Sequence, residues 1–170
     1  MSKNILYKYY VEGEGEKRII DILKNDYKSI KPGKIEVFNV NQNRFSDMRI
    51  RTLKEKTVVV LVYDVDVNKD GINNLDWNVN FLKSKNNVKS VVCIPQVENL
   101  EDELLAACNI KEVKEITKSK SNTNYKSDLL KCNNLYSRLQ HSGFDYNKFW
   151  KKCPQNAYKK YGNDSKKISS

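Results

Sequence analysis

Acidic residues in this chain gather at two points, and each group follows a run of β-forming residues. The stretch VEGEGE places Glu12, Glu14 and Glu16 after ILYKYYV, and Asp64 and Asp66 follow VVVLVY. Ligands of open parallel sheets bind at the carboxyl ends of the strands. If these two strands are neighbours, the carboxylates of Glu12, Asp64 and Asp66 should meet at that edge.

Carboxylates held this close raise one another's pKa unless a cation lies between them. Oxygen ligands alone favour a hard ion such as Mg²⁺ or Mn²⁺. The sequence therefore predicts a metal site with Glu12, Asp64 and Asp66 as ligands. Glu16 and Glu98, which follow the first and the fourth predicted strand, are candidate ligands for a second ion.

Other interpretations of the same residues compete with this one. Read from Asp66, the acids resemble a calcium loop, but Trp77 stands where that loop needs a glutamate. Gly13 and Gly15 suggest a dinucleotide loop, but the third glycine is missing and three glutamates would repel a pyrophosphate. We expect these glycines to allow a tight backbone turn beneath the metal. The simplest alternative is that the acids only cap the following helices.

Strands and helices are predicted to alternate as far as residue 108. The predicted strands cover 5–11, 34–40, 57–63 and 88–94, the last ended by Pro95, and the predicted helices cover 16–27, 45–56, 73–84 and 97–108. The unbroken apolar run of the third strand indicates burial on both faces. This order predicts an α/β fold with a mainly parallel sheet of about four strands, flanked by helices. Beyond it we expect a polar loop at 118–126, helices over 127–140 and 146–152, and a frayed end from residue 159.

Charge is distributed unevenly along the 170 residues, whose net charge is +10. Residues 1–110 contain 17 basic and 16 acidic residues, whereas residues 111–170 contain 14 basic and 5 acidic residues. We therefore expect an α/β domain, residues 1–110, and a basic helical extension, residues 111–170, packed on the same domain. Such an excess indicates a polyanionic partner, because basic residues that neutralise phosphates release counterions. A merely solubilising surface is the alternative.

The composition also predicts where the protein works. No apolar run approaches the ~20 residues that cross a bilayer, and the first residues turn acidic where a signal peptide would be cleaved. We therefore expect a cytoplasmic protein without a membrane partner. The four cysteines are widely spaced and His141 is the only histidine, which disfavours a zinc site and predicts reduced thiols.

A glutamate in a glycine-containing turn after strand one, followed by D-x-D after strand three, resembles the signature of the Toprim domain. Here these motifs are Glu12 and Asp64/Asp66. The spelling E-G-x-x-E, from Glu12 to Glu16, is similar to the nuclease branches, which include the overcoming-lysogenization-defect nucleases and RloB-like phage-defence proteins. The resemblance covers residues 5–108. It departs from the family at Asn68, where a third acid often follows.

This resemblance implies a Mg²⁺-dependent phosphodiester hydrolase that cleaves DNA or RNA, with a role in phage defence. Related nucleases place a lysine after a polar loop that follows the sheet, where it stabilises the transition-state phosphate, and Lys126 is the candidate here. The chain has no room for a topoisomerase tyrosine domain or a primase zinc module.

Nucleic acid is expected to bind the basic extension. The candidate residues are Lys131, Arg138, Lys148, Lys151 and Lys152, interleaved with aromatic residues such as Tyr125, Phe149 and Trp150 on which bases could stack. Packing against the sheet is the preferred explanation for Phe149 and Trp150. Two other functions stay open: a non-catalytic nucleic-acid-binding module or partner subunit of an ATPase-containing complex, and a small-molecule phosphotransferase.

Overall fold

Apolar and β-branched segments form four strands in the computed structural model, which describes residues 4–65 and 69–170. The strands are β1 (Leu6–Val11), β2 (Lys34–Val37), β3 (Thr57–Asp64) and β4 (Val88–Gln96). They form one sheet in the order β2-β1-β3-β4, and each neighbouring pair is parallel. The predicted α/β fold, with a parallel sheet of about four strands flanked by helices, is confirmed.

Seven α-helices accompany the sheet in the described part of the chain. They are α1 (Glu14–Asn25), α2 (Asp47–Ile50), α3 (Lys69–Lys83), α4 (Leu100–Ala107), α5 (Lys114–Thr117), α6 (Asn122–Lys131) and α7 (Leu135–His141). Three 3₁₀ turns follow, at Tyr146–Lys148, Ala157–Tyr161 and Ser165–Ile168. None of the described helices combines the length and apolar character that a membrane crossing requires.

Strand β3 is buried on both faces, as its apolar run predicts. Val58, Val60 and Val62 point to one face of the sheet, whereas Val59 and Leu61 point to the other. This alternation is the two-residue period of a strand. On the first face the strand contacts a core that includes residues of α1, α4, α6 and α7, and on the second face it contacts residues of α3.

Residues 111–170 contribute directly to the core of the first face. Leu129 of α6, Leu139 of α7 and Trp150 are 2%, 0% and 1% exposed, and all three belong to the hydrophobic cluster that contains Tyr9 and Ile19. Removing the basic extension would therefore expose core residues.

The last residues are not frayed, which corrects the expectation from their polar composition. Ile168 is fully buried, and its carbonyl accepts a hydrogen bond from the N–H of Lys31 at 2.7 Å. Asp164 donates its N–H to the carbonyl of Cys93 and accepts the Cys93 N–H on its carboxylate, at 2.9 and 3.2 Å. Cys93 lies in β4, the outer strand, so this segment covers an open edge of the sheet.

Several other element boundaries differ from the sequence-based expectation. The predicted helix 45–56 is only the four residues of α2, the predicted helix 127–140 is divided between α6 and α7, and the predicted helix 146–152 is only a 3₁₀ turn at Tyr146–Lys148. Strand β4 continues through Pro95 to Gln96. Proline is tolerated on an edge strand when the position of its missing N–H faces away from the neighbouring strand, so that no hydrogen bond of the sheet is lost. The segment 118–126 is only partly a loop. Ser121 accepts the N–H of Asn124 on its hydroxyl and so begins helix α6 within it.

Candidate active site

The acidic turn after β1 meets the end of β3. The register pairs Val11 with Val62, so β1 and β3 end side by side at the carboxyl edge of the sheet. Glu12 reaches across, and its Oε2 accepts a hydrogen bond from the backbone N–H of Asp64 at 3.1 Å. The predicted parallel pairing of strands one and three is confirmed, and it brings two of the three predicted metal ligands together.

A pocket of about 300 Å³ opens at this edge. Its acidic lining consists of Glu12, Glu14, Glu16, Asp64 and Glu101, and its apolar lining of Leu100, Tyr125, Leu129 and Leu130. Lys126 is the basic residue of the lining. Five carboxylates around one ammonium group form a strongly negative cavity, and an added cation would stabilise it.

Gln96 holds the acids of this pocket in place. Its side chain is fully buried, and its Nε2 donates to Oδ1 of Asp64 at 2.7 Å. The indole Nε1 of Trp150 donates to Gln96 Oε1 at 3.3 Å. Because an indole nitrogen can only donate, it fixes the orientation of the amide, with the oxygen towards Trp150 and the nitrogen towards the carboxylates.

The surroundings of Glu16 affect its ionisation. Burial raises its pKa, and the nearby Glu101 carboxylate raises it further. Hydrogen bonds from the backbone of Glu16 and Gly13 and from the Gln96 side chain oppose this shift. Gly13 is the N-cap of α1, so Glu16 occupies the third helical position and bonds back to the cap, as in a capping box. This capping role is the simpler alternative for Glu16.

The glycines of the turn do not serve the purpose that the sequence suggests. Gly13 has φ −152° and ψ −179°, an extended conformation that any residue adopts. A Cβ at Gly13 would, however, lie 3.1 Å from Oε2 of Glu16, and a Cβ at Gly15 would contact Leu100 and Leu129 at 3.6 Å. Gly13 therefore makes room for the Glu16 carboxylate rather than providing a left-handed turn.

The end of β3 is held by amide side chains on the opposite side of the sheet. Asn41 donates to the carbonyl of Asp64 at 2.9 Å and accepts from the hydroxyl of Tyr158 at 3.0 Å. Asn156 donates to the carbonyl of Val65 at 2.9 Å. These bonds fix the backbone that carries Asp64.

Lys126 lies on α6, not after a loop. Its Nζ is 3.6 Å from Oε1 of Glu101, and its side chain is 79% exposed. Its ammonium group therefore lies at the mouth of the acidic pocket, where it can move.

One other predicted ligand, Glu98, is not brought into the pocket. Glu98 is exposed and is not part of the pocket lining; its backbone carbonyl accepts the N–H of Val65 at 3.2 Å. Asp66 lies outside the described residues. Within residues 4–65 and 69–170, no three His, Cys, Asp or Glu side chains form a group suited to a metal ion.

Three aromatic residues of the extension are not free to stack on bases. Tyr125, Phe149 and Trp150 are 1%, 0% and 1% exposed, because they pack in the core. This confirms packing as the role of Phe149 and Trp150 and corrects the stacking hypothesis for Tyr125. The basic candidates Lys131, Lys148, Lys151 and Lys152 are exposed, and Arg138 is half-buried.

Comparisons with protein-family models, with curated proteins and with solved structures gave no match. The resemblance to the Toprim domain therefore stays an expectation from the motifs at Glu12 and Asp64/Asp66.

Sequence reasoning missed the residues that support the acids. Gln96 was overlooked because Pro95 was expected to end the strand, although a polar residue at a strand's carboxyl end is the signal that singled out Asp64. Asn41 and Glu101 carry no local signal, because their contacts with Asp64 and Lys126 depend on segments distant in sequence.

Proposed function

We propose that this protein is a metal-dependent phosphodiester hydrolase that cleaves DNA or RNA and uses Mg²⁺ or Mn²⁺. The observation that supports this most is the contact between Glu12 and Asp64 at the carboxyl edge of the sheet, inside an acidic pocket that also contains Lys126.

The donor atoms present fit a hard divalent cation. Glu12 and Asp64 supply carboxylate oxygens, which Mg²⁺ and Mn²⁺ prefer. Each carboxylate has about four lone-pair positions, and hydrogen bonds from the Asp64 N–H and from the Gln96 side chain orient these two carboxylates at the edge of the sheet. Asp66 remains the proposed third ligand and lies outside the described residues.

In this proposal each residue of the site has a separate role. Glu12 and Asp64 hold the cation, Gln96 orients the Asp64 carboxylate, and Lys126 binds a non-bridging oxygen of the scissile phosphate. A bound Mg²⁺ would supply an activated water and stabilise the charge that develops on the phosphate. Glu16 and Glu98 are no longer needed as ligands, since one caps α1 and the other lies outside the pocket.

The exposed lysines of the extension would bind the nucleic-acid backbone. Lys126 and Lys131 lie on the same helix, α6, and Lys148, Lys151 and Lys152 lie on the segment around Trp150. Since residues 1–110 are nearly neutral, these cations provide the attraction that brings a polyanion to an acidic pocket. The resemblance to phage-defence nucleases further suggests foreign nucleic acid as the substrate.

The test is to incubate the purified protein with mixed DNA and RNA in the presence of Mg²⁺, Mn²⁺ or EDTA. We expect cleavage with either ion and none with EDTA. The variant Asp64→Asn should be inactive, whereas Asp70→Asn, a matched change at an exposed residue of α3, should retain activity. Cleavage that persists in EDTA would contradict the proposal.

A second candidate is a non-catalytic binding module, such as the partner subunit of an ATPase-containing complex. One observation favours it: the described residues contain no group of three potential metal ligands. Thermal unfolding with increasing Mg²⁺ separates the two functions. A metal site stabilises the folded state by mass action, by about 2.7 kcal/mol at 100 times Kd, whereas a binding module should show no such increase.

A further inference from the structure

A second pocket lies on the extension, between α5 and α7. Its volume is about 440 Å³, within the range of small-molecule sites. Its lining includes Asn134, Ser137, Arg138 and His141 at one side and Glu115 and Lys118 at the other. It shares no residue with the acidic pocket, so the proposed hydrolysis does not account for it.

Of the three charged residues that line this pocket, two are basic and one is acidic. Arg138 and Lys118 are basic, and Lys118 ends α5 in the left-handed conformation with φ 56°. Glu115 is the acid of the lining. Its Oε1 accepts the backbone N–H groups of Lys111 and Glu112, at 3.0 and 2.9 Å, so its charge is already engaged by the preceding loop.

One nitrogen of the Arg138 guanidinium group lacks a hydrogen-bond acceptor. Its Nε donates to Oδ1 of Asn134 at 2.9 Å, which fixes the guanidinium against α7. Its Nη1 is buried and has no acceptor within the described part of the chain. A buried donor without a partner is costly, and more so on a charged group. Arg138 also lines the pocket, so an anion that enters would meet the positive charge of this guanidinium.

A hydrogen bond within α7 fixes the orientation of the His141 ring. Its Nδ1 lies 2.7 Å from the carbonyl oxygen of Ser137. A carbonyl only accepts, so Nδ1 carries the proton and donates. The other ring nitrogen, Nε2, is then left for a ligand: it accepts a hydrogen bond in the neutral ring and donates to a phosphate oxygen when the ring is an imidazolium. The hydroxyl of Ser137 lies beside the ring, 3.4 Å from Nδ1.

We propose that this pocket binds a phosphate group, as a phosphomonoester or a pyrophosphate. A guanidinium, an ammonium and an imidazole approach it from α7 and from the end of α5, which suits the several oxygens of a tetrahedral anion. The site would work without metal and without cleavage. It goes beyond the proposed hydrolase, and either can fail without the other.

His141 makes the test direct, because it is the only histidine in the chain. Its imidazole ¹H–¹³C signals are followed by NMR in the full-length protein at constant ionic strength while pyrophosphate is added. We expect a saturable shift. In Arg138→Gln the apparent Kd should weaken about tenfold or more, the effect expected when a hydrogen bond to a charged group is removed.

Arg51→Gln is the matched control, since Arg51 is exposed on the opposite side of the sheet near Ile50. It should leave the titration unchanged. If Arg138→Gln fails to fold, Lys118→Gln, at an exposed position, should weaken binding in the same direction. A shift that does not saturate, or that is equal in wild type and both pocket variants, would overturn the proposal.

Oligonucleotides distinguish the source of the phosphate. A saturable shift with a 5′-phosphorylated oligonucleotide, absent with its 5′-hydroxyl counterpart, would assign the pocket to a nucleic-acid end. A saturable shift with pyrophosphate alone would assign it to a small phosphorylated ligand. No saturable response to any of the three would contradict the phosphate site.

Discussion

Glu16 lines the acidic pocket as a candidate metal ligand, and its contacts also make it a cap of helix α1. It lies beneath the acidic turn, it caps α1 at Gly13, and Gln96 bonds to it. Because Gly13 has no Cβ, the Glu16 carboxylate has enough space to lie against it. The acids of the pocket therefore have different surroundings: Glu14 is exposed, whereas Glu16 is half-buried and hydrogen-bonded.

The raised pKa of Glu16 predicts a pH dependence of stability. A carboxyl group whose pKa is higher when folded than when unfolded stabilises the protein fully below its ordinary value of 4.5. That contribution disappears as the pH rises through the folded-state pKa. Relative to wild type, Glu16→Gln should therefore become progressively more stable as the pH increases from about 4.5.

Urea unfolding of wild type and Glu16→Gln between about pH 4 and 8 measures this difference. Loss of the cap changes the offset between the two proteins but not its pH dependence. Glu14→Gln is the control, because Glu14 is exposed on the same turn. A difference in unfolding free energy that is constant with pH would show that Glu16 is not protonated more readily in the folded state.

Among the elements, β4 depends on the segment that follows Trp150. The N–H and C=O groups of Cys93 would be unpaired at an open edge, and Asp164 bonds to both. Glu103 of α4 connects the same region: its carboxylate accepts the N–H groups of Val97 and Trp150, each at 3.0 Å. The polar C-terminal segment thus completes the sheet instead of fraying.

Asp164→Ala should lower the free energy of unfolding by about 1–3 kcal/mol, since it leaves the buried N–H of Cys93 without its side-chain acceptor. Chemical denaturation measures the change. Asp164 also pairs with Lys167 at 2.9 Å. Lys167→Ala removes only that pair and should cost less than about 1 kcal/mol. Equal destabilisation in the two variants would mean that the bond to the sheet edge contributes nothing.

The elements also show what local sequence can predict. The apolar run of β3 and the alternation of strands with helices predicted the parallel sheet, because periodicity and strand ends are local features. The meeting of Glu12 with Asp64 followed only on the condition that β1 and β3 are neighbours, as they are. The support from Gln96 and Asn41, the core role of Leu129 and the bonds of Asp164 to the sheet edge were not predictable. Each depends on residues more than 20 positions apart.

Considered as a whole molecule, the protein combines a nearly neutral α/β sheet with a strongly basic extension that shares its core. The extension contributes Leu129, Trp150 and Ile168 to that core. We therefore expect deletion of residues 111–170 to prevent folding, and not merely to remove a binding surface. Far-UV circular dichroism and thermal unfolding of the truncated chain test this; a cooperative transition like that of the full chain would contradict it.

Binding is better tested by neutralising exposed lysines. Replacing Lys148, Lys151 and Lys152 with Gln should weaken nucleic-acid binding and reduce the slope of log K against log salt by about 0.7–0.9 for each phosphate that the variant no longer neutralises. The matched control replaces Lys54, Lys83 and Lys89, which are also exposed. If affinity and slope fall equally in both triple variants, the attraction comes from overall charge and not from the extension.

Cleavage by wild type, Glu12→Gln, Asp64→Asn and the double variant, measured with Mn²⁺ at saturating nucleic acid, tests the central claim most directly. If the two carboxylates act as one metal-dependent unit, each single variant should lose nearly all activity, and the double variant should lose little more. Contradiction would come from wild type that cleaves neither DNA nor RNA with Mn²⁺ or Mg²⁺, or from single variants that both cleave at the wild-type rate.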